Sequence, residues 1–579
     1  MKNWKVMALS LLTVVAAGCI DDRYDLSDID TTSRFTVNDL VVPMNLDEIT
    51  LKSVIEIEED SKLQIFTDAS GRQFYAVMES GEFDSDPVFV KEMTSAGPVL
   101  DPVVKEIGRI PAGSGAPVAQ GSASYLIEPS GRNFVYNVSD IDGSIHSVES
   151  VRVRPMDVVL TLSVPDVAGV VRSTVFEDLK IKLPPGLTVV LPKGDYDPLT
   201  GILTIDRLEA DGAEVKVKVT VMAIDMAANG SSLDYDRHSL DYAGRIEVSS
   251  GVLTVSTTGG TLPQSINFTT AYDFVDMVAT AFSGEIAYSL SGVEISDVDL
   301  SDIPDFLAGE GTDISLVNPQ IYIGVSNPVG ASGVECRTGL TVEAMRDGEV
   351  SGSYTIDNPY FTIPCDKGVG PYSFCLSPSA PAEAIPGYSS DGLLHVGFTS
   401  LSDVLAGNGL PTLLGIELNE PGIPLQLVRD FSLGVDIEGV KGKYDFFAPL
   451  ALNAGSTIVY TDTNDGWSDE DVEALTIEKF ELTATASTDL PLAVRLTAVV
   501  LDKEGNAIDA ELSSVELPAN AKDFPFTIAL GEGQTVTGLD GIRFTAHVKA
   551  SATTPLSPDQ AISLKKLKGK VSGYYTKEL

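Results

Sequence analysis

The chain has 579 residues, of which 43% are hydrophobic, and it carries 83 acidic against 39 basic side chains for a formal net charge of −44. The apolar share is enough to build cores, which excludes a chain disordered throughout, and the length allows roughly four domains at ~150 residues each. The charge excludes nucleic acid as a partner, since affinity there comes mainly from neutralising phosphates with Lys and Arg; it also disfavours anionic lipid, and it suits solubility through self-repulsion.

Lys2 and Lys5 give a basic start, and Val6 to Ala17 is apolar except for Ser10 and Thr13. That is the length of a signal h-region and is short for a bilayer span. Small residues follow, and Val15-Ala16-Ala17-Gly18-Cys19 resembles a bacterial lipobox. The alternative is an ordinary secretory signal that happens to contain a cysteine. In the lipobox reading residues 1–18 are removed, Cys19 becomes the acylated N-terminus, and several acyl chains make a durable anchor. Loss of Lys2 and Lys5 takes the net charge from −44 to −46.

Residues 19–34 are polar and acidic without periodicity, and read as a tether. Cys19 followed by Asp21 and Asp22, then Asp25-Leu26-Ser27-Asp28-Ile29-Asp30-Thr31-Thr32, resembles uncharacterised surface lipoproteins of Bacteroidetes. The resemblance implies export to the outer leaflet of the outer membrane, and Asp30-Thr31-Thr32 is similar to a short O-glycosylation motif of those bacteria. Tyr444-Asp445-Phe446-Phe447, Asp489-Leu490-Pro491-Leu492, Asn318-Pro319 and Asn327-Pro328 extend the likeness loosely. The resemblance brings no known activity.

Beyond the tether the ruling pattern is alternation with period two, the mark of half-buried strands. Leu160, Leu162 and Val164 alternate with Thr161 and Ser163. Val215, Val217, Val219 and Val221 alternate with Lys216, Lys218 and Thr220; Ile542, Phe544, Ala546 and Val548 do so with Arg543, Thr545 and His547. Ser70-Gly71, Pro184-Pro185-Gly186 and Lys503-Glu504-Gly505-Asn506 supply turn chemistry. Short helices are expected at 301–309, 402–407 and 468–480 from polar starts and, in the first two, glycine stops. Asp305 to Gly311 and Asp403 to Gly409 agree at five of seven positions, a hint of duplication. The expected fold is mainly β: several tandem antiparallel β-sandwich-like domains, cut at 35–150, 151–228, 229–348, 349–440 and 441–579.

Three cysteines remain besides Cys19. Cys365 and Cys375 flank a loop containing Gly368, Gly370 and Pro371. Either a disulfide closes that loop, as export permits, or both are half-buried thiols. Cys336 reads as a small core residue, and three cysteines without C-x-x-C make no zinc site. His146, His238, His395 and His547 are scattered, and nucleophile elbows, Walker loops and dinucleotide fingerprints are absent from the sequence. No metal ligand or cofactor is expected. A pair of carboxylates for glycoside hydrolysis could be drawn from the many acids and leaves no sequence signature.

Trp467 is the one tryptophan outside the signal, set among Asp465 and Asp469. It is either an exposed platform for a sugar ring or a ring tucked against its domain with the N–H wet. The sequence therefore points to a lipid-anchored envelope protein, a non-enzymatic surface module that binds or adheres to an unknown protein or glycan. The alternatives are a structural accessory of an outer-membrane transport or pilus-like assembly, and a polysaccharide-binding or glycan-acting protein.

Overall fold

The computed structural model describes residues 32–42, 49–55, 57, 61–111, 121–301, 303, 307, 311–467, 475–490, 492–550 and 553–578. Cys19 and the rest of the signal and tether up to residue 31 lie outside them, as do most of the expected helix at 301–309 and the Gly/Ala-rich stretch at 112–120.

The protein is nearly all β, built from several antiparallel sheets. The alternating segments are strands with the expected faces. In Glu214–Asp225, Val215, Val217, Val219 and Val221 are buried while Lys216 and Lys218 are exposed. The hairpin turn after Leu63–Thr67 is held by Asp68, whose Oδ1 accepts from the backbone N–H of Ser70 and Arg72. Asp502 repeats the device, accepting from the N–H of Glu504 and Asn506. In both, a short carboxylate stands in for a backbone carbonyl while glycine takes the left-handed position, with φ of +83° at Gly71 and +79° at Gly505.

The contacts divide the chain otherwise than the serial cuts expected above. One unit gathers the described residues of 1–56, 457–552 and 558–579; the other takes those of 57–456 and 553–557. The expected cut at 348/349 falls inside the turn of a hairpin, since Cys336–Arg346 pairs with Glu349–Thr355. The cut at 440/441 falls where Lys441–Pro449 begins, a strand that pairs with both Gln320–Val325 and Gln73–Asp84.

The smaller unit is a β-sandwich. One sheet runs Thr32–Val42, Ala561–Glu578, Thr476–Thr488, Phe524–Ala529; the other includes Thr457–Asn464, Gly541–Lys549, Ala493–Leu501 and Val515–Leu517. Ile477, Phe480, Leu482 and Ile528 from the first sheet share one core with Val494, Val500 and Ile542 from the second. Thr476–Thr488 corrects the helix expected at 468–480: residues 468–474 lie outside the described ones, and from Thr476 the chain is a strand. Its register against Ala561–Glu578 slips between Ile477 and Lys479, so the buried positions fall at Ile477 and Phe480, three apart, which mimics helical spacing.

In the larger unit Val171–Lys182 and Ser239–Thr257 belong to one sheet, Ser150–Ser163, Glu214–Asp225 and Ser265–Phe274 to another, and rings such as Phe176 and Phe268 meet between them with centroids 6.3 Å apart. A further sheet carries the candidate site. Its strand order is Leu393–Gly397, Tyr372–Ser377, Gln320–Val325, Lys441–Pro449, Gln73–Asp84, Leu63–Thr67, with the first pair parallel and the others antiparallel. Leu401–Val404 is a short helix that overlaps the first half of the one expected at 402–407.

Candidate functional site

A cleft of 990 Å³ opens in the larger unit at one end of this last sheet. Its floor is a row of residues in register across four strands: Ser373 faces Gly324, Gly324 faces Lys443, and Lys443 faces Glu82. Cross-strand partners point to the same face of a sheet, so a hydroxyl, an amine and a carboxylate stand side by side. Asp84, Glu294, Ser296, Ser326, Lys441 and Tyr388 complete the polar lining.

Lys443 is the centre of the site. Its Nζ sits 4.4 Å from the ring centroid of Tyr388 and 3.9 Å from Oδ2 of Asp445. Gly324 leaves room for it, since a Cβ there would lie 3.4 Å from the Lys443 stem. The other amine, Lys441, is tied up by Glu438 in an exposed ion pair. Glu82, Asp84 and Glu294 have no ion-pair partner among the described residues.

A second transverse row lies one step deeper, and places His395, Cys375, Tyr322, Asp445 and Ser80 in sequence across five strands. The Ser80 hydroxyl donates to Asp445, and the Tyr322 hydroxyl donates to Gln320 at 2.8 Å. Tyr388 packs against Tyr322 with centroids 4.9 Å apart and the rings tilted by 41°. Its hydroxyl is buried beside the Asp445 carboxylate without reaching hydrogen-bonding geometry. Burial first, and that carboxylate second, hold the Tyr388 proton far above its ordinary value. Ile385, on the connection between the two parallel strands, packs with Cys375 and Tyr322 in the buried middle of this row, while His395 and Ser80 at its ends are exposed. Neither row is visible as a motif, because its members come from positions 80, 82, 322, 324, 373, 375, 395, 443 and 445.

The residues singled out from the sequence fall elsewhere. Cys365 and Cys375 are free thiols, which corrects the disulfide considered for them. Cys375 is fully buried on the sheet, 3.6 Å from the Ser377 hydroxyl. Cys365 follows the strand Phe361–Ile363, whose Ile363 faces Cys336, so its thiol neighbour is Cys336. Burial first, and Cys365 second, push the Cys336 thiol up to about 12. Cys336 donates to Oδ1 of Asn327, a buried amide that also donates to the carbonyls of Val334 and Pro364.

Trp467 is no platform. It is 7% exposed in the core of the smaller unit, and its ring N–H donates to Asn464 Oδ1 at 2.8 Å. Two histidines meet a ring that sequence reasoning passed over: His146 stacks on Tyr235 at 4.5 Å, and His238 lies 5.6 Å from it. His395 Nε2 contacts the Ser377 carbonyl at 3.1 Å.

No family model matches the chain, and no curated protein matches it. Among solved structures it is similar to a protein from Parabacteroides distasonis inferred to be secreted, with 14% identity and a TM-score of 0.35 over 51% of this chain and 90% of that one.

Proposed function

We propose that this chain is an exported lipoprotein, anchored in the outer membrane through Cys19 and exposed at the cell surface, whose larger unit captures a ligand without chemical conversion. The lipobox-like run before Cys19 and the acidic tether support the location. The observation that carries the capture role is the 990 Å³ cleft, which lies at the upper end of the ~300–1,000 Å³ common for ligand sites. A floor that carries a hydroxyl, an amine and a carboxylate in one row suits a ligand whose own groups both donate and accept, as hydroxyls do. Saccharide is therefore the first ligand class to test. Against a nucleophilic enzyme stands Cys375, whose thiol is fully buried and held protonated by that burial.

Protease shaving of intact cells, read with an antibody against the smaller unit, tests the location. Loss of full-length protein from unbroken cells is expected; protection until lysis overturns the surface reading. A glycan array probed with the wild type and with Gly324→Val tests the cleft. The added isopropyl group fills the floor beside Lys443, so binding that survives the substitution unchanged removes the cleft from the proposal.

A further inference from the structure

The strand Ala561–Glu578 is out of character with the rest of the chain. In a protein of net charge −44 it carries Lys565, Lys566 and Lys568 within four positions. All three side chains are exposed, and among the described residues none has a carboxylate partner. Lys565 faces Thr485 and Lys568 faces Thr483 across the sheet, on the side turned away from the buried Leu482, Ala484 and Ala486. The bulge at Lys566, with φ of +56°, packs the third amine into the same short stretch. Further along that outer face the cations are already engaged: Lys570 lies 3.8 Å from Asp39, Lys479 pairs with Glu481, and Arg34 pairs with Glu478 while covering the Tyr574 ring at 3.4 Å.

We propose that Lys565, Lys566 and Lys568 form a docking stripe that lays the smaller unit on the net-anionic phosphate headgroups of the membrane to which the protein is tethered. Two observations select this occupant. The first is charge complementarity. The chain as a whole repels anions, but at physiological salt charges are screened beyond about 8 Å, so a lipid phosphate at the stripe meets the three amines and little of the distant acid. The second is continuity with the anchor. The neighbouring strand Thr32–Val42 starts opposite Glu578, ten positions from Lys568, or roughly 33 Å along a strand. Residues 19–31 span up to about 45 Å when extended, so an anchored Cys19 leaves the stripe within reach of the bilayer.

The test is vesicle co-sedimentation of the full chain carrying Cys19→Ser, so that no acyl chain contributes. Vesicles of phosphatidylcholine are compared with vesicles that also contain phosphatidylglycerol. The wild-type stripe is expected to bind the anionic vesicles and not the neutral ones, and added salt weakens the binding. Lys565→Gln, Lys566→Gln and Lys568→Gln together are expected to lower partitioning about a hundredfold. The control removes the same charge from exposed lysines of the larger unit, Lys180→Gln, Lys182→Gln and Lys193→Gln, and keeps the binding. Equal loss in both triple variants, or no preference for anionic vesicles in the wild type, overturns the proposal. So does competition by millimolar inorganic phosphate strong enough to abolish vesicle binding, which would mark a free-phosphate site instead. Circular dichroism of both variants establishes that they fold.

Discussion

Tyr444 occupies the space that a side chain at Gly81 would need. The two residues face each other across the strands Lys441–Pro449 and Gln73–Asp84, and a Cβ on Gly81 would lie 2.5 Å from the ring. Two positions along, the relation is inverted: Phe83 lies over Gly442, with 2.2 Å to an added Cβ. The glycines let two aromatic rings lie flat across the ladder, and Tyr444 reaches beyond it to donate to the Ser296 carbonyl at 2.7 Å. Gly81→Ala is therefore expected to cost about 1–3 kcal/mol as an overpacked contact. Gly108→Ala, where nothing lies within 4 Å of the new methyl, is the reference and should stay within about 0.5 kcal/mol. Urea midpoints of the two variants check this.

Asn327 is fully buried and makes four contacts of its own: it donates to the Val334 and Pro364 carbonyls and accepts from the Val329 N–H and the Cys336 thiol. Asn327→Ala strands those groups, at about 1–3 kcal/mol for each one left unpaired. The larger unit should lose several kcal/mol, read as a fall in its thermal midpoint. Asn327→Asp keeps the shape but loses both donors, and should be no better.

Stability should fall in alkali. The Cys336 thiol titrates near 12 in the folded protein against an ordinary value of 9.0, so above pH 9 the unfolded chain sheds this proton first. Burial also pushes Tyr136, Tyr242 and Tyr322 up. Their contribution is complete below the ordinary values of 9 for the thiol and 10 for the phenols, and is lost as pH rises through the folded ones. Urea midpoints measured from pH 8 upward should decline steadily past pH 9, and tyrosinate absorbance should appear together with unfolding. Cys336→Val should flatten the first part of that decline.

Trp467 should report on the smaller unit alone. Its emission is expected to be blue-shifted and shielded from acrylamide until that unit unfolds, given 7% exposure and the bond to Asn464. Trp467→Phe should be tolerated. Trp467→Ala should cost about 3–5 kcal/mol through the cavity it leaves, seen by far-ultraviolet dichroism.

Local pattern carried the strands: the valines at 215 to 221 could serve one purpose, and they serve it. What the pattern could not carry was pairing. Lys443 and Glu82 are neighbours only because two strands more than three hundred residues apart share a register, and no spacing in the sequence encodes that. The same holds for the serial domain cuts, which assumed that neighbours in sequence pair in space. The misread helix at 468–480 has a local cause, since one register slip between Ile477 and Lys479 turned a period of two into a gap of three. Cys365 was set against Cys375 by proximity in sequence, whereas the register of Ile363 with Cys336 directs it elsewhere.

The pairing of Thr32–Val42 with the far strand Ala561–Glu578 also orders events in time. The Asp39 N–H finds its acceptor, the Ser572 hydroxyl, 533 residues further on. During synthesis the first strand emerges early, yet it has no partner until the whole larger unit has followed it. Closing so large a loop is slow, and until it closes Phe35, Leu40 and Val41 stand on an unpaired strand, a hazard for aggregation. The smaller unit is thus finished late in synthesis although its first strand arrives early, and a chain cut short before residue 569 would leave that strand unmatched.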